Sequence, residues 1–234
     1  MNKLLNLLMK YWNKMKKYLF CFLVGAISIV LSSCDNVAEK KQKEREKAIA
    51  DSIQHREAFV RDSIAGAEAR LLAAKNEEII KNSKNLFDEE YDEFQDVVWV
   101  APKVRPRNNN ANGMYGIIGM RDGEPMCLFF RFQYANDDWL FVKKMIFNID
   151  GENITISPEM KRDNNSKGIW EWCNTRVHLM GDVTESFIKK LANAEDVKVK
   201  FFGITYTDVR TVDKKYIKAL KETYEYYKAL GGTF

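Results

Sequence analysis

The stretch Met114-Tyr115-Gly116-Ile117-Ile118-Gly119-Met120-Arg121-Asp122-Gly123-Glu124-Pro125-Met126-Cys127-Leu128-Phe129-Phe130-Arg131-Phe132-Gln133-Tyr134 decides the fold of this chain. Asp122-Gly123 accepts the positive φ angles of a two-residue turn, so the apolar runs on either side, 114–120 and 126–134, are expected to pair as an antiparallel hairpin. Within Met126-Cys127-Leu128-Phe129-Phe130 nothing alternates. Both faces of that strand should therefore be covered, which places it centrally in a layered fold.

The neighbouring segments extend this pattern in both directions. Toward the N-terminus, residues 91–100 are expected as one strand stopped by Pro102 and Pro106, with Arg107-Asn108-Asn109-Asn110-Ala111-Asn112-Gly113 a polar loop. Toward the C-terminus, Ala135-Asn136-Asp137-Asp138 makes a four-residue turn into a strand over 139–149, and Asp150-Gly151 turns that strand into another over 153–157. Residues 161–168 are a polar loop, and 169–173 and 176–179 are strand. Asp182 with Glu185 has the form of a capping box for a short helix whose apolar face is Phe187, Ile188, Leu191 and Ala192. Val197, Val199 and Phe201 alternate with lysines in a strand continuing to residue 206. A final helix runs from about 213 to 230, with Ile217, Leu220, Tyr224 and Tyr227 on one face and Gly231-Gly232 at its end.

Strands joined by tight turns must run antiparallel. The expected class is α+β, an antiparallel sheet or sandwich over residues 86–234 with two packed helices. About 150 residues suffice for a core of its own.

Residues 34–85 differ in kind, with no proline, one glycine (Gly66) and a dense mixture of Lys, Glu, Arg, Ala and Gln that favours helix throughout. Ile53, Val60, Ile64, Ala67, Leu71 and Ala74 draw a thin apolar stripe along that helix. Two readings stay open for it: a solvated spacer about 70 Å long, or a coiled-coil seam that makes the protein a homo-oligomer.

Residues 1–33 hold five lysines (Lys3, Lys10, Lys14, Lys16, Lys17) and no acid. A basic flank precedes the 13-residue apolar run Leu19-Phe20-Cys21-Phe22-Leu23-Val24-Gly25-Ala26-Ile27-Ser28-Ile29-Val30-Leu31, followed by Ser32-Ser33-Cys34. That run spans only about 20 Å as a helix, short of a hydrocarbon core of about 30 Å, so cleavage is expected rather than retention as a membrane span. Met15-Lys16-Lys17 would serve equally well as the start of such a segment.

Here residues 15–34 resemble the signal peptides of bacterial lipoproteins, which end in a small-residue box directly before a modified cysteine. The resemblance implies a diacylglyceryl thioether on Cys34, usually with a further acyl chain on the new N-terminus, and hence a membrane partner and a bacterial cell-envelope address. Two or more chains anchor stably where one does not. Whether the membrane is inner or outer stays open, although Asp35 resembles a sorting residue of some bacteria. The stretches Asp137-Asp138-Trp139-Leu140-Phe141, Ile169-Trp170-Glu171-Trp172 and 201–232 also resemble an uncharacterised domain of envelope lipoproteins, which implies no activity.

Loss of the leader takes the formal charge from +4 to 4 − 5 = −1. Such a chain has no positive field to collect phosphates, and no nucleic-acid partner is expected. Of the four cysteines, Cys127 and Cys173 remain for the folded domain, without a CxxC neighbour; they are either a disulfide or two small buried side chains.

Catalytic signals are sparse. His178, between Val177 and Leu179, is expected as a half-buried structural residue rather than a general base. No serine lies in a GxSxG elbow. Asp163-Asn164-Asn165-Ser166-Lys167-Gly168 begins like a calcium loop, but Lys167 stands where an oxygen ligand belongs and Asn174 where the closing glutamate belongs, so no metal and no cofactor is assigned. The acid pairs Glu89-Glu90 and Asp137-Asp138 sit beside turns, where acids are common.

Aromatic surplus remains. Trp170 and Trp172 must share one side of their strand. On a solvent face they would stack on a sugar or meet a protein; on an inner face they would be core, which is the expectation for a sheet needing large inward residues. The leading function class is a non-enzymatic binding module with a protein or glycan ligand, and the alternative is an envelope hydrolase for which no catalytic set can be named.

Overall fold

The computed structural model describes residues 36–234 apart from 109 and 167. The export segment and Cys34 lie outside the described residues. Two compact units divide the chain, Met1–Ile64 and Ala65–Phe234. The described part of the first unit is helical throughout, and the element, α1 (Asn36–Ser83), has 48 residues. Its composition explains it: good helix formers at nearly every position and no breaker but Gly66. Among the described residues no helix is long and apolar enough to cross a membrane.

The second unit is α+β. From the last turns of α1, Ile80 packs on the core and Ser83 is buried. A single 3-10 turn (Lys84–Leu86) then leads into the strands. These are β1 (Phe87–Asp92), β2 (Val97–Pro102), β3 (Gly113–Arg121), β4 (Glu124–Asn136), β5 (Lys144–Ile149), β6 (Glu152–Ile156), β7 (Lys161–Asn165), β8 (Gly168–Arg176), β9 (Val197–Phe202) and β10 (Thr207–Thr211), with α2 (Glu185–Ala192) and α3 (Lys214–Ala229). Among the described residues every strand-to-strand pairing is antiparallel, in a six-stranded sheet ordered β1-β2-β3-β4-β8-β7 and a four-stranded sheet ordered β10-β9-β5-β6.

Alternation fixes which side chains form the core. Met114 and Ile118 of β3, Leu128, Phe130, Phe132 and Tyr134 of β4, and Cys173 of β8 share one face. Against them stand Met145, Phe147 and Ile149 of β5 and Val197, Val199 and Phe201 of β9. Phe132 meets Phe147 and Phe201 at ring separations of 5.7 and 5.4 Å, and Phe187 of α2 meets Phe130 at 5.7 Å. Such contacts contribute about 0.5–1.5 kcal/mol each beyond the area they bury. α3 covers β3 on the same face: a Cβ on Gly116 would lie 2.8 Å from the Thr223 methyl, so glycine there sets how closely helix and sheet approach.

The two DG turns form as expected, with Asp122 and Asp150 at φ 53° and 48° and each following glycine also left-handed. Five expectations need correction. Residues 91–100 are not one strand but the β1-β2 hairpin, because Asp92 accepts the amides of Phe94 and Gln95 and Asp96 takes φ 53°. Residues 139–143 have no regular structure, and the chain there passes from one sheet to the other instead of making a hairpin with β4. Residues 161–165 are strand β7, an exposed edge with no burial pattern to reveal it. The cap of α2 is Thr184, which accepts the Phe187 amide, while Asp182 accepts the Ser157 amide. The strand from Val197 ends at Phe202, and a separate β10 follows.

Candidate functional site

Glu171 decides where the two tryptophans point. It alternates with Trp170 and Trp172 along β8, and it occupies the core side, 1% exposed. One carboxylate oxygen accepts the amides of Leu140 (3.0 Å) and Phe141 (2.7 Å); the other accepts the Val142 amide (2.8 Å) and Arg162 Nε (3.1 Å). Phe141 takes φ 54° to aim these successive N–H groups inward, and the Arg162 guanidinium lies 5.4 Å from its ring. A buried carboxylate is tolerable only with this degree of satisfaction.

The tryptophans are consequently turned to the opposite face of the six-stranded sheet, where Trp170 is buried, as expected of a core side chain, and Trp172 is only half-buried. They join Trp99, Tyr115, Ile117, Cys127, Phe129, Arg131 and Gln133 there by register. Trp172 is half-buried with the Arg131 guanidinium 5.6 Å from its ring centre, and Trp99 meets Phe129 edge-on at 5.8 Å. The loop after β2 crosses this face: buried Gln133 donates to the carbonyls of Asn108 and Ala111 and accepts from Tyr115 Oη at 3.0 Å. Trp170 is 5% exposed and its Nε1 has no hydrogen-bond partner among the described residues. It is therefore closed to a ligand, whereas Trp172 keeps part of its surface open.

Between the loop after β2, the end of β4, the start of β8 and Arg210 of β10 lies an open cleft of about 260 Å³, lined by Asn110, Asn112, Ala135, Asn136, Asp137, Gly168, Ile169 and Arg210. Its polar groups are held from below. Tyr134 Oη donates to Asp208 Oδ2 at 2.9 Å and accepts from Asn136 Nδ2 at 2.9 Å; Arg210 Nε donates to the same Asp208 oxygen at 2.8 Å. Burial, then the bond to Asp208, pushes the Tyr134 hydroxyl up to about 12, so it stays a donor. Asn112 bonds both backbone groups of Ala135, extending the sheet by one side chain. The result is a set of amide, carboxylate and guanidinium groups with restricted rotamers, suited to a ligand rich in hydroxyls. Among the described residues lining the cleft Asp137 is the single carboxylate, so the paired acids of a glycosidase are not assembled there.

The other candidates fall elsewhere. His178 is exposed, not half-buried, in an isolated bridge to Thr184. Cys127 and Cys173 are both free and buried, on opposite faces of the sheet; burial raises both thiols, Cys173 to about 11, so neither is a ready nucleophile. Residues 163–168 belong to the β7-β8 hairpin, and the described residues contain no group of three or more His, Cys, Asp or Glu placed to hold a metal. A second hollow, about 210 Å³ and lined by Glu89, Tyr91, Asp96, Asp122 and Tyr226 among others, has Arg121 tied to the carbonyls of Gln95 and Asp96. Glu171, Asn136 and Arg210 are the residues that sequence reasoning missed. For Glu171 alone a signal existed, an acid alternating with two tryptophans in a strand.

No protein-family model matches this chain, and no curated protein or solved structure matches it either.

Proposed function

We propose that this protein is a bacterial envelope lipoprotein, cut before Cys34 and held by lipid on that cysteine, whose β domain binds a glycan. The box Leu31-Ser32-Ser33-Cys34 behind a short apolar run supports the anchor, and α1 serves as the spacer between lipid and domain. The observation that carries the binding reading is the pre-tied polar cleft, with Asn136 and Arg210 fixed through Tyr134 and Asp208. Sugars are recognised by planar amide and charged groups placed to meet their hydroxyls.

The test is titration of the detergent-solubilised full-length protein with peptidoglycan fragments and envelope polysaccharides, followed by calorimetry and tryptophan fluorescence. Saturable binding to one of them is expected, lost in Asp137→Ala with unchanged thermal stability. Absence of glycan binding, together with capture of a protein that this substitution releases, would replace the glycan with a protein ligand.

A further inference from the structure

The four-stranded sheet turns one face to the core and leaves the other open. Register puts Lys144 and Ile146 of β5, Lys198, Lys200 and Phe202 of β9 and Val209 of β10 on the open face. Its remaining positions are Asn and Thr, so the face carries three lysines and no carboxylate. The ammonium groups of Lys144 and Lys200 lie 4.4 and 5.1 Å from the centre of the Phe202 ring, and Val209 is 57% exposed. Lys198 pairs with Asp196 at the opposite end of β9.

At the Phe202 end of this face two segments are tied into one tip. The Ile204 amide donates to the Leu140 carbonyl at 3.2 Å and Tyr206 Oη to the Trp139 carbonyl at 3.1 Å. A Cβ on Gly203 would overlap the Leu140 oxygen, so the β9-β10 turn is pressed against residues 139–141. The tip holds Ile204 64% exposed, with Phe141 and Tyr206 also exposed and Trp139 stacked on Phe141 at 5.8 Å. Apolar side chains already fixed in water lose little conformational entropy when they are covered. The acids nearest the tip stay off the open face: Asp208 is tied to Arg210, Glu171 is buried against Arg162, and Asp137 and Asp138 stand in the segment after β4.

We propose that this part of the β domain is a bilayer contact, in which the tip enters the headgroup region of an anionic phospholipid surface and the lysine face lies against its phosphates. Charge complementarity selects that occupant. Lysine is depleted at protein interfaces, whereas lysines that lay their stems on apolar surface and keep the ammonium outward, beside Trp and Tyr, are the side chains of a membrane interface. Each lysine near an anionic surface raises partitioning about fivefold. The contact does not need the lipid on Cys34; a tether would only raise its effective concentration.

The full-length chain, reconstituted into phosphatidylcholine vesicles with or without phosphatidylglycerol, tests it. Ile204→Cys is labelled with an environment-sensitive dye, and the signal of the parent chain treated identically is subtracted. On vesicles with phosphatidylglycerol the label should shift to the blue and resist iodide quenching, whereas a label at Leu179→Cys, exposed elsewhere on the domain, should stay in water. Adding Lys144→Gln and Lys200→Gln to Ile204→Cys should abolish the shift. A label at 204 as wet as at 179, a shift that survives both substitutions, or a label covered in native membranes but not in vesicles, which would assign a protein partner, overturns the inference. Flotation, scored separately, distinguishes the failures: a chain that floats with a wet label overturns this contact alone, and one that does not float overturns the contact and the anchor together.

Discussion

Glu171→Gln is the substitution whose cost follows most directly from geometry. The wild-type carboxylate takes two donors on each oxygen: Leu140 and Phe141 amides on one, the Val142 amide and Arg162 Nε on the other. Glutamine keeps one acceptor oxygen and turns the other into a donor, so whichever way the amide is placed, two N–H groups lose their acceptor. Each buried donor left unmet costs about 1–3 kcal/mol. Arg162 is about one-third exposed and recovers water, which brings the expected loss to about 2–4 kcal/mol. Glu171→Ala removes all four bonds and should cost about 3–5 kcal/mol, as for one partner of a buried ion pair. Urea unfolding of the β domain, followed by tryptophan fluorescence, reads the loss as a lower midpoint at unchanged slope. Amide exchange should show residues 140–142 opening before the rest. A Glu171→Gln protein within about 0.5 kcal/mol of wild type, with those amides still protected, would refute the idea that this carboxylate holds the crossing between the sheets.

Other outcomes are expected from the same structure. Alkaline conditions should destabilise the domain progressively. Cys173 and Tyr134 hold their protons more tightly folded (about 11 and about 12) than at their ordinary values of 9.0 and 10.0. The unfolded chain therefore deprotonates first, and stability on the order of 1–3 kcal/mol per group is present below those ordinary values and lost as pH rises to the folded ones; Cys173→Ala should reduce the loss that begins near pH 9 in a stability titration. Gly116→Val should cost about 1–3 kcal/mol by pushing α3 off β3 at Thr223, measurable as a lower melting temperature. A thiol reagent should leave Cys127 and Cys173 largely unmodified until denaturant is added, since both are buried.

What could be read in advance was local chemistry. Asp122-Gly123 and Asp150-Gly151 announce their turns because the backbone angles demand those residues, and the apolar faces of α2 and α3 follow from spacing alone. The errors arose where a distant partner overrides a local pattern. Trp139-Leu140-Phe141-Val142 has the composition of a strand, but its amides are claimed by Glu171, some thirty residues later in the chain. Glu93-Phe94-Gln95-Asp96 lacks the glycine that would mark a turn; Asp92 supplies the turn through its side chain. β7 is invisible because an edge strand with five exposed polar residues has no alternation to find. The cleft was equally illegible, since its lining comes from Asn110 and Asn112, residues 135–137 and 168–169 and Arg210 of β10, which only the tertiary fold brings together.

The mass of the protein extracted from its own membranes tests the anchor, on which address and spacer both depend, more directly than any variant. The account predicts a chain that begins at Cys34, has lost the preceding residues, and carries the added mass of a diacylglyceryl group with or without a further acyl chain. A chain with its leader intact, or one beginning elsewhere without lipid, would contradict it.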